Sequence, residues 1–451
     1  MARFLIGTIP QTGHVGPALP IARELVGRGN EVWWYTGKRF QSRIEATGAR
    51  YIPSTLDYDE RNIDEVFPGR VRLNGLAKLK YDIKHGFIDP MVGQVQDYTE
   101  ILREFPADVL LCDTAFLGAA CVHEKGGPPW ATYGMTALTI NSRDTAPFGL
   151  GLLPDASASG RLRNRLLNWL LDNVLFRDVV SRTDRARVRM GLPPTGKGIF
   201  DVPLSPYLYL QGTTQSFEYP ISDLPPQVHF IGPFLPEPPR DFTPPRWWDE
   251  LKSGRTVVHV TQGTIATVSD ELLVPALQAL AGEDMLVIAA TGNQPLESVK
   301  IDPLPANARL EQFIPYYHLM PHVDVMVTNG GYGGVQSALA HGIPIVAAGK
   351  SEDKIEISAR VAWSGVGINL RTQRPTPERI RQAVKEVLAD PKYRRKAEQI
   401  KADFAGRSAP HEAADLLERL AETKQPVYRA DRRAAEHRTY GLDRHRATAA
   451  Q

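Results

Sequence analysis

Short apolar runs and amphipathic stretches alternate from the N-terminus of the chain. Residues 4–7 (Phe-Leu-Ile-Gly) form a short apolar run, and a loop containing Gly and Pro covers residues 8–17. Leu19, Ile21, Ala22, Leu25 and Val26 then recur at helical spacing. Gly27-Arg28-Gly29-Asn30 stops that helix, and residues 31–35 (Glu-Val-Trp-Trp-Tyr) read as the next strand. This is a strand-loop-helix-strand unit. It opens a parallel sheet, because parallel neighbours need a crossover between them. Residues 107–113 predict a later strand that ends on Asp113.

The rhythm breaks at residues 220–246, which carry Pro220, Pro225, Pro226, Pro233, Pro236, Pro238, Pro239, Pro244 and Pro245. Prolines this dense exclude helix and central strand, so the segment reads as an extended linker. The rhythm then resumes. Strands are predicted at 256–260, 285–290, 323–327 and 343–347, and helices at 272–280, from about Gly334, at 377–388 and at 392–404. The expected fold is α/β, with two facing doubly wound Rossmann-like domains and a cleft between them. The expected organisation is one α/β domain over 1–219, the linker over 220–246 and a second α/β domain over 247–395. C-terminal helices over 396–422 and a basic, disordered tail over 423–451 complete it.

Composition changes this picture only by exclusion. Lys+Arg 53 against Asp+Glu 51 gives a net charge of +2, which removes the electrostatic case for nucleic acid or a membrane. The two cysteines, Cys112 and Cys121, are too few for a disulfide framework. No apolar stretch approaches the roughly 20 residues that span a bilayer, and the first apolar run is too short for a secretory signal. A cytoplasmic protein is expected.

The chemistry concentrates at 324–335, Asp-Val-Met-Val-Thr-Asn-Gly-Gly-Tyr-Gly-Gly-Val. A buried strand ends, glycines permit close backbone approach, and a helix begins. The unpaired N–H groups of that helix start favour an anion, with a phosphate or pyrophosphate the natural occupant. His14 lies in the predicted loop after the first strand, at the sheet end that faces a ligand crevice. A histidine there suits proton abstraction, although many loop histidines are merely structural. Asp113 ends another strand and either orients His14 or caps a helix. Asp57-Tyr58-Asp59 places two carboxylates two apart, a spacing used for metal elsewhere, but no donor motif lies near it and no metal is expected there.

The ordered run of Phe313-Ile314-Pro315, Asp324, Thr328-Asn329-Gly330-Gly331, residues 338–344 and Glu352-Asp353-Lys354 resembles a known donor-binding signature. It is that of the nucleotide-sugar-dependent glycosyltransferases with two facing Rossmann-like domains (the GT-B superfamily), and within them of the bacterial macrolide and natural-product enzymes. Residues 12–17 and the turn Thr261-Gln262-Gly263-Thr264 match the same family, so the resemblance covers about 4–420. It implies that Gly263 and Thr264 touch the pyrophosphate and that Phe313, Ile314 and Pro315 lie beside the base. It also implies that Asn329, Gly330, Gly331, Gly333 and Gly334 hold the phosphates, and that Asp353 and Lys354 reach the sugar. His14 would be the catalytic base and Asp113 its partner. The chain departs from the family pattern at Asn329 (usually His), Gly334 (often Ser or Thr), Ser337 (usually a ribose-binding Glu) and Lys354 (usually Gln). Ser337 or Gln336 is a candidate replacement for that Glu. Nucleotide and sugar preference therefore do not carry over, whereas pyrophosphate binding by backbone amides does.

The resemblance implies an inverting, metal-independent transfer of a hexose from a UDP- or dTDP-sugar to a hydroxyl of a small lipophilic acceptor such as a macrolide, a flavonoid or another phenol. No cofactor is expected beyond that donor substrate. The expected state is a monomer or homodimer that binds no nucleic acid. Two alternatives stand beside it, a non-catalytic nucleotide-sugar-binding protein and a nucleotide-sugar epimerase on the same architecture. On the acceptor side, Leu162, Leu166, Trp169, Leu170, Val174 and Phe176 recur at helical spacing among arginines. That helix packs on the first domain, lines the acceptor pocket or lies on a membrane surface. Trp33, Phe87, Met91, Met135 and Phe148 are further candidate pocket walls.

Overall fold

The computed structural model describes residues 1–59, 61–239, 241–263 and 269–429. Its first sheet contains β1 (Arg3–Gly7), β2 (Glu31–Thr36), β3 (Arg50–Pro53), β4 (Val109–Asp113), β5 (Trp130–Gly134), β6 (Leu208–Gln211) and β7 (Val228–Phe230). The spatial order is β3-β2-β1-β4-β5-β6-β7, with every pair parallel. The second contains β8 (Thr256–Thr261), β9 (Met285–Ala290), β10 (Ala308–Glu311), β11 (Val325–Thr328), β12 (Ile345–Ala347) and β13 (Gly367–Asn369). Its order is β10-β9-β8-β11-β12-β13, again all parallel. Parallel sheets are covered by helices on both faces, which is why their strands read as unbroken apolar runs. Phe4 to Ile6, Val109 to Cys112 and Leu286 to Ala289 are all buried. In both sheets the strand order reverses beside the first strand, and ligand crevices form at that point, outside the carboxyl ends of the strands.

Three expectations need correction. The segment 220–246 is not wholly a linker, because Val228–Phe230 pairs in parallel with β6 and belongs to the first sheet. It is an edge strand three residues long, and an edge tolerates the prolines that flank it. The chain also does not leave the fold at residue 423. The helix Ala409–Thr423 crosses back onto the first domain and packs against the helix Thr12–Gly27, burying Ala413, Ala414, Leu417 and Leu420. Lys424 then pairs with Asp108 at 2.9 Å, Val427 is buried, and the Val427 N–H donates to the Tyr207 carbonyl at 2.9 Å. Docked in this way, residues 424–429 belong to the first domain. The remaining tail, 430–451, lies outside the described residues.

The predicted loop 8–17 is already helical from Thr12, so His14 sits in the first turn of Thr12–Gly27. Pro17 and Pro20 lie inside that helix. Each removes one backbone donor, and burial of Val15, Ala18, Ile21, Ala22 and Leu25 on the inner face outweighs the loss.

Candidate active site

β1 and β4 are neighbours in the sheet, with Gly7 opposite Cys112. Their carboxyl ends bring His14 and Asp113 together. His14 Nδ1 lies 3.2 Å from Asp113 Oδ1, and the His14 side chain is 15% exposed while Asp113 is buried. Nδ1 does not point squarely at that oxygen and has no aligned hydrogen-bond partner, so the contact is a close ion-pair geometry rather than a made hydrogen bond. The backbone of His14 is fixed by its N–H to the Gln11 carbonyl at 3.0 Å and by the Tyr133 hydroxyl, which donates to its carbonyl at 2.5 Å. Asp113 Oδ2 accepts from the Ile9 N–H at 2.8 Å, and Oδ1 from Ala115 and Phe116 at 2.6 and 3.1 Å. The next helix, Gly118–Glu124, has Leu117 as its N-cap, so Asp113 does not cap it. The carboxylate instead closes the turn after β4 and holds the loop after β1 while facing the imidazole.

In the second domain, β11 runs into the turn Asn329-Gly330-Gly331 and the helix Tyr332–Ala340. The first intrahelical bond runs from the Val335 N–H to the Gly331 carbonyl at 3.0 Å, so the amides of Tyr332, Gly333 and Gly334 precede it and are available to an anion. Gly330 has φ +87°, and a Cβ there would come within 2.8 Å of Ser358 Oγ, so only glycine fits the turn. The Asn329 Nδ2 donates to the Gln262 carbonyl and ties this turn to the end of β8, next to Gly263. Asn329 Oδ1 is buried and unpaired. Thr264 lies outside the described residues. The hydroxyl of Tyr316, which the sequence did not single out, stands 3.5 Å from the position of a Cβ on Gly334.

The remaining predicted donor residues divide. Phe313 is 58% exposed and free to stack, Pro315 is half-buried, and the Ile314 side chain is in the core, leaving only its backbone for a ligand. Asp353 Oδ2 accepts from the hydroxyl of Thr136 in the first domain at 2.6 Å, and burial raises its pKa above the ordinary carboxylate value. Lys354 makes different contacts. It pairs with Glu352 and lines a small concavity with Gln262, Asn329, Gly349 and Ser351, beside the turn at 329–331. Neither candidate replacement for the ribose carboxylate is available. Ser337 Oγ donates to the Gly333 carbonyl at 2.8 Å, and Gln336 Nε2 donates to Thr213 Oγ1 at 3.1 Å; both residues are buried.

Among the described residues no group of three or more His, Cys, Asp or Glu converges as a metal site would. Asp57 accepts from the Lys38 N–H at 3.1 Å, and Asp59 is held by Arg61 at 2.6 Å. Of the suggested pocket walls, Trp33 stacks on Phe105 with ring centres 4.4 Å apart and Met91 is buried, so both belong to the core. Met135 is half-buried, its sulfur accepting from Thr114 Oγ1, next to Asp113 in sequence, at 3.4 Å. The helix Ala158–Leu170 turns Asn164 inward and Leu162 (65% exposed), Leu166 and Trp169 (56%) outward. No described helix is long and apolar enough to cross a membrane.

Two doubly wound domains, with a histidine–carboxylate pair at one crevice and a glycine turn before a helix in the other, share an architecture with solved glycosyltransferases. The calicheamicin glycosyltransferase superposes with a TM-score of 0.72 at 20% identity, over 94% of this chain and 99% of that one. The glycosyltransferase VinC in complex with dTDP gives 0.66 at 19% identity, over 93% and 99%. These two speak for the fold. In sequence, residues 274–420 match the family described as erythromycin biosynthesis protein CIII-like, C-terminal domain. The chain is 49% identical to 4'-demethylrebeccamycin synthase of Lentzea aerocolonigenes over 422 residues, 93% of this chain and 99% of that one. It is 34% identical to UDP-glycosyltransferase 2 of Phaeomoniella chlamydospora over 436 residues, 92% and 95% respectively. The chain belongs to the GT-B family of nucleotide-sugar-dependent glycosyltransferases, among the bacterial natural-product enzymes.

Proposed function

We propose that the enzyme moves a hexose from a UDP- or dTDP-sugar to a hydroxyl of a small lipophilic acceptor, with inversion and without a metal. The observation that carries this reading is the His14–Asp113 pair at the crevice of one domain, facing a second domain whose glycine turn offers free amides. The acceptor hydroxyl gives its proton to the exposed side of the His14 imidazole as its oxygen bonds to the anomeric carbon. The bond from that carbon to the diphosphate breaks, and the diphosphate leaves with the electron pair. Attack opposite the leaving group turns an α-donor into a β-glycoside. Asp113 stabilises the imidazolium that forms. Leu162, Leu166 and Trp169, exposed in the first domain, supply apolar surface suited to a lipophilic acceptor. The test is incubation with UDP- and dTDP-sugars and a panel of macrolides, flavonoids, other phenols and the precursor of 4'-demethylrebeccamycin, read by mass. A hexose increment on one acceptor supports the reading; consumption of no donor with any acceptor sinks it.

The amides at 332–334 and the Lys354 ammonium take the charge of the leaving diphosphate in place of a metal ion. Transfer is therefore expected to survive EDTA, and loss of activity that magnesium or manganese restores would contradict this.

Asn329 has a second amide hydrogen beyond the one given to Gln262, and this one is assigned to a phosphate oxygen. A hydrogen bond to a charged group contributes about 1.5–3 kcal/mol, so Asn329→Ala should weaken nucleoside diphosphate binding by roughly one to two decades. Calorimetry checks this. Asn329→Gly retains a flexible turn without the amide, and unchanged affinity in that variant would leave Asn329 a turn residue only.

A further inference from the structure

The helix Lys354–Trp363 presents three charged side chains, spaced about one turn apart, that all reach into the other domain. At its N-terminus Asp353 accepts from Thr136 Oγ1 at 2.6 Å. Glu356 Oε1 accepts the backbone N–H groups of Gly149 and Gly151 at 2.9 and 2.7 Å. Its Oε2 lies 3.0 Å from Arg360 Nη1. Arg360 Nε donates to Glu218 Oε2 at 2.7 Å, and Glu218 Oε1 accepts the Leu138 N–H at 2.9 Å. The guanidinium also lies over the Tyr219 ring, 4.1 Å from its centre. Glu218, Glu356 and Arg360 are 1%, 4% and 3% exposed.

The same helix touches the anion-binding turn from its other side. A Cβ on Gly330 would meet Ser358 Oγ at 2.8 Å and the Lys354 carbonyl at 3.3 Å. A Cβ on Gly349 would fall 1.9 Å from the Asn329 carbonyl oxygen, so the strand-end backbone that leads to the helix lies flat against the turn. The segment held in the first domain, 136–151, starts directly after β5. β5 neighbours β4, with Asp113 opposite Tyr133, so the segment borders the base. One rigid element thus contacts the turn proposed to hold phosphate and the loop beside the acceptor.

Buried charges are a poor device for simple adhesion between domains, because apolar residues of the same volume adhere as well without the desolvation cost. Charge-assisted bonds to individual backbone N–H groups add register, since a carboxylate fixes where those amides stand. We infer that Glu356 and Arg360 are positioning residues that couple nucleotide binding in the second domain to the order of loop 136–151 beside the base. The inference rests on the reading that a nucleoside diphosphate occupies the turn at 329–334. A nucleotide there restrains the helix through Gly330 and Asn329. The helix restrains Gly149 and Gly151 through Glu356, and Leu138 through Arg360 and Glu218. By linkage, an acceptor that orders the loop tightens nucleotide binding by the same factor.

Hydrogen exchange by mass spectrometry on the full chain reads the three amides in question. UDP and dTDP serve as probes, with occupancy fixed by calorimetry. Bound nucleotide should slow exchange in peptides covering 136–151 by about tenfold, although it does not touch them. Glu356→Gln keeps the shape but loses the ion pair, and its NH₂ must face either Arg360 or the two glycine N–H groups, donor against donor, so one half of the link breaks. It should bind nucleotide within about threefold of the parent and gain none of the added protection. Arg360→Lys keeps the charge without the two-sided reach and should give partial protection; it serves as the second variant should Glu356→Gln fail to fold. Nucleotide binding with no slowing in the parent, slowing retained in Glu356→Gln, or slowing spread evenly to the helix Arg177–Arg189 would each overturn the inference and leave the proposed function standing. Binding of neither nucleotide would overturn both.

Discussion

Replacing His14 with alanine is expected to lower turnover at least about 10²-fold while leaving nucleoside diphosphate affinity nearly unchanged. The His14 backbone is held by its helix turn and by the Tyr133 hydroxyl, and the imidazole faces a buried carboxylate while its side chain stays 15% exposed. Every residue assigned to the donor lies on β8, β10, β11 and the connections that follow them and β12, in the other domain. Loss of the imidazole therefore removes proton transfer without disturbing the phosphate turn. Turnover and calorimetric affinity measured on the same preparation check both halves. Parental turnover in the variant would remove His14 from the chemistry, and lost affinity would mean that the turn at the start of its helix had collapsed.

Asp113→Asn is expected to reduce both activity and stability. The carboxylate accepts three backbone N–H bonds besides its contact with His14. An asparagine has one acceptor oxygen, so its NH₂ must face either Ile9 N–H or the pair from Ala115 and Phe116, and a buried donor is left unpaired. That costs about 1–3 kcal/mol. Turnover should fall by at least about tenfold, because the imidazolium loses its compensating charge and the ring its orientation. Thermal unfolding and steady-state kinetics provide the two readings. A full activity loss with unchanged stability would place Asp113 in orientation alone, and a stability loss with full activity would leave it only the turn-closing role.

The sheets were legible because parallel strands buried on both faces leave contiguous apolar runs, as at 109–112 and 285–290. The short strand Val228–Phe230 was not, because an edge position and flanking prolines hide it among linker residues. The helical setting of His14 was obscured by Pro17 and Pro20, which are local breakers that tertiary burial overrides. In the site, the glycine turn announced itself by composition and spacing. The roles of Gln336 and Ser337 did not, since one side chain is spent on Thr213 across the domains and the other on its own helix. Thr136, Glu218 and Glu356 carry no local motif. They matter through partners 217, 142 and 207 positions away, and such pairings appear only once the two domains are placed together.

The proposed reaction is a single in-line displacement between a base in one domain and a donor held by the other. The anomeric configuration of the product tests this most directly. Proton NMR of the glycoside formed from an α-configured UDP- or dTDP-hexose should show the β-anomer throughout the time course, including the earliest sample. An α-glycoside would require a second displacement or a front-side path, and would contradict the arrangement of His14, Asp113 and the glycine turn proposed here.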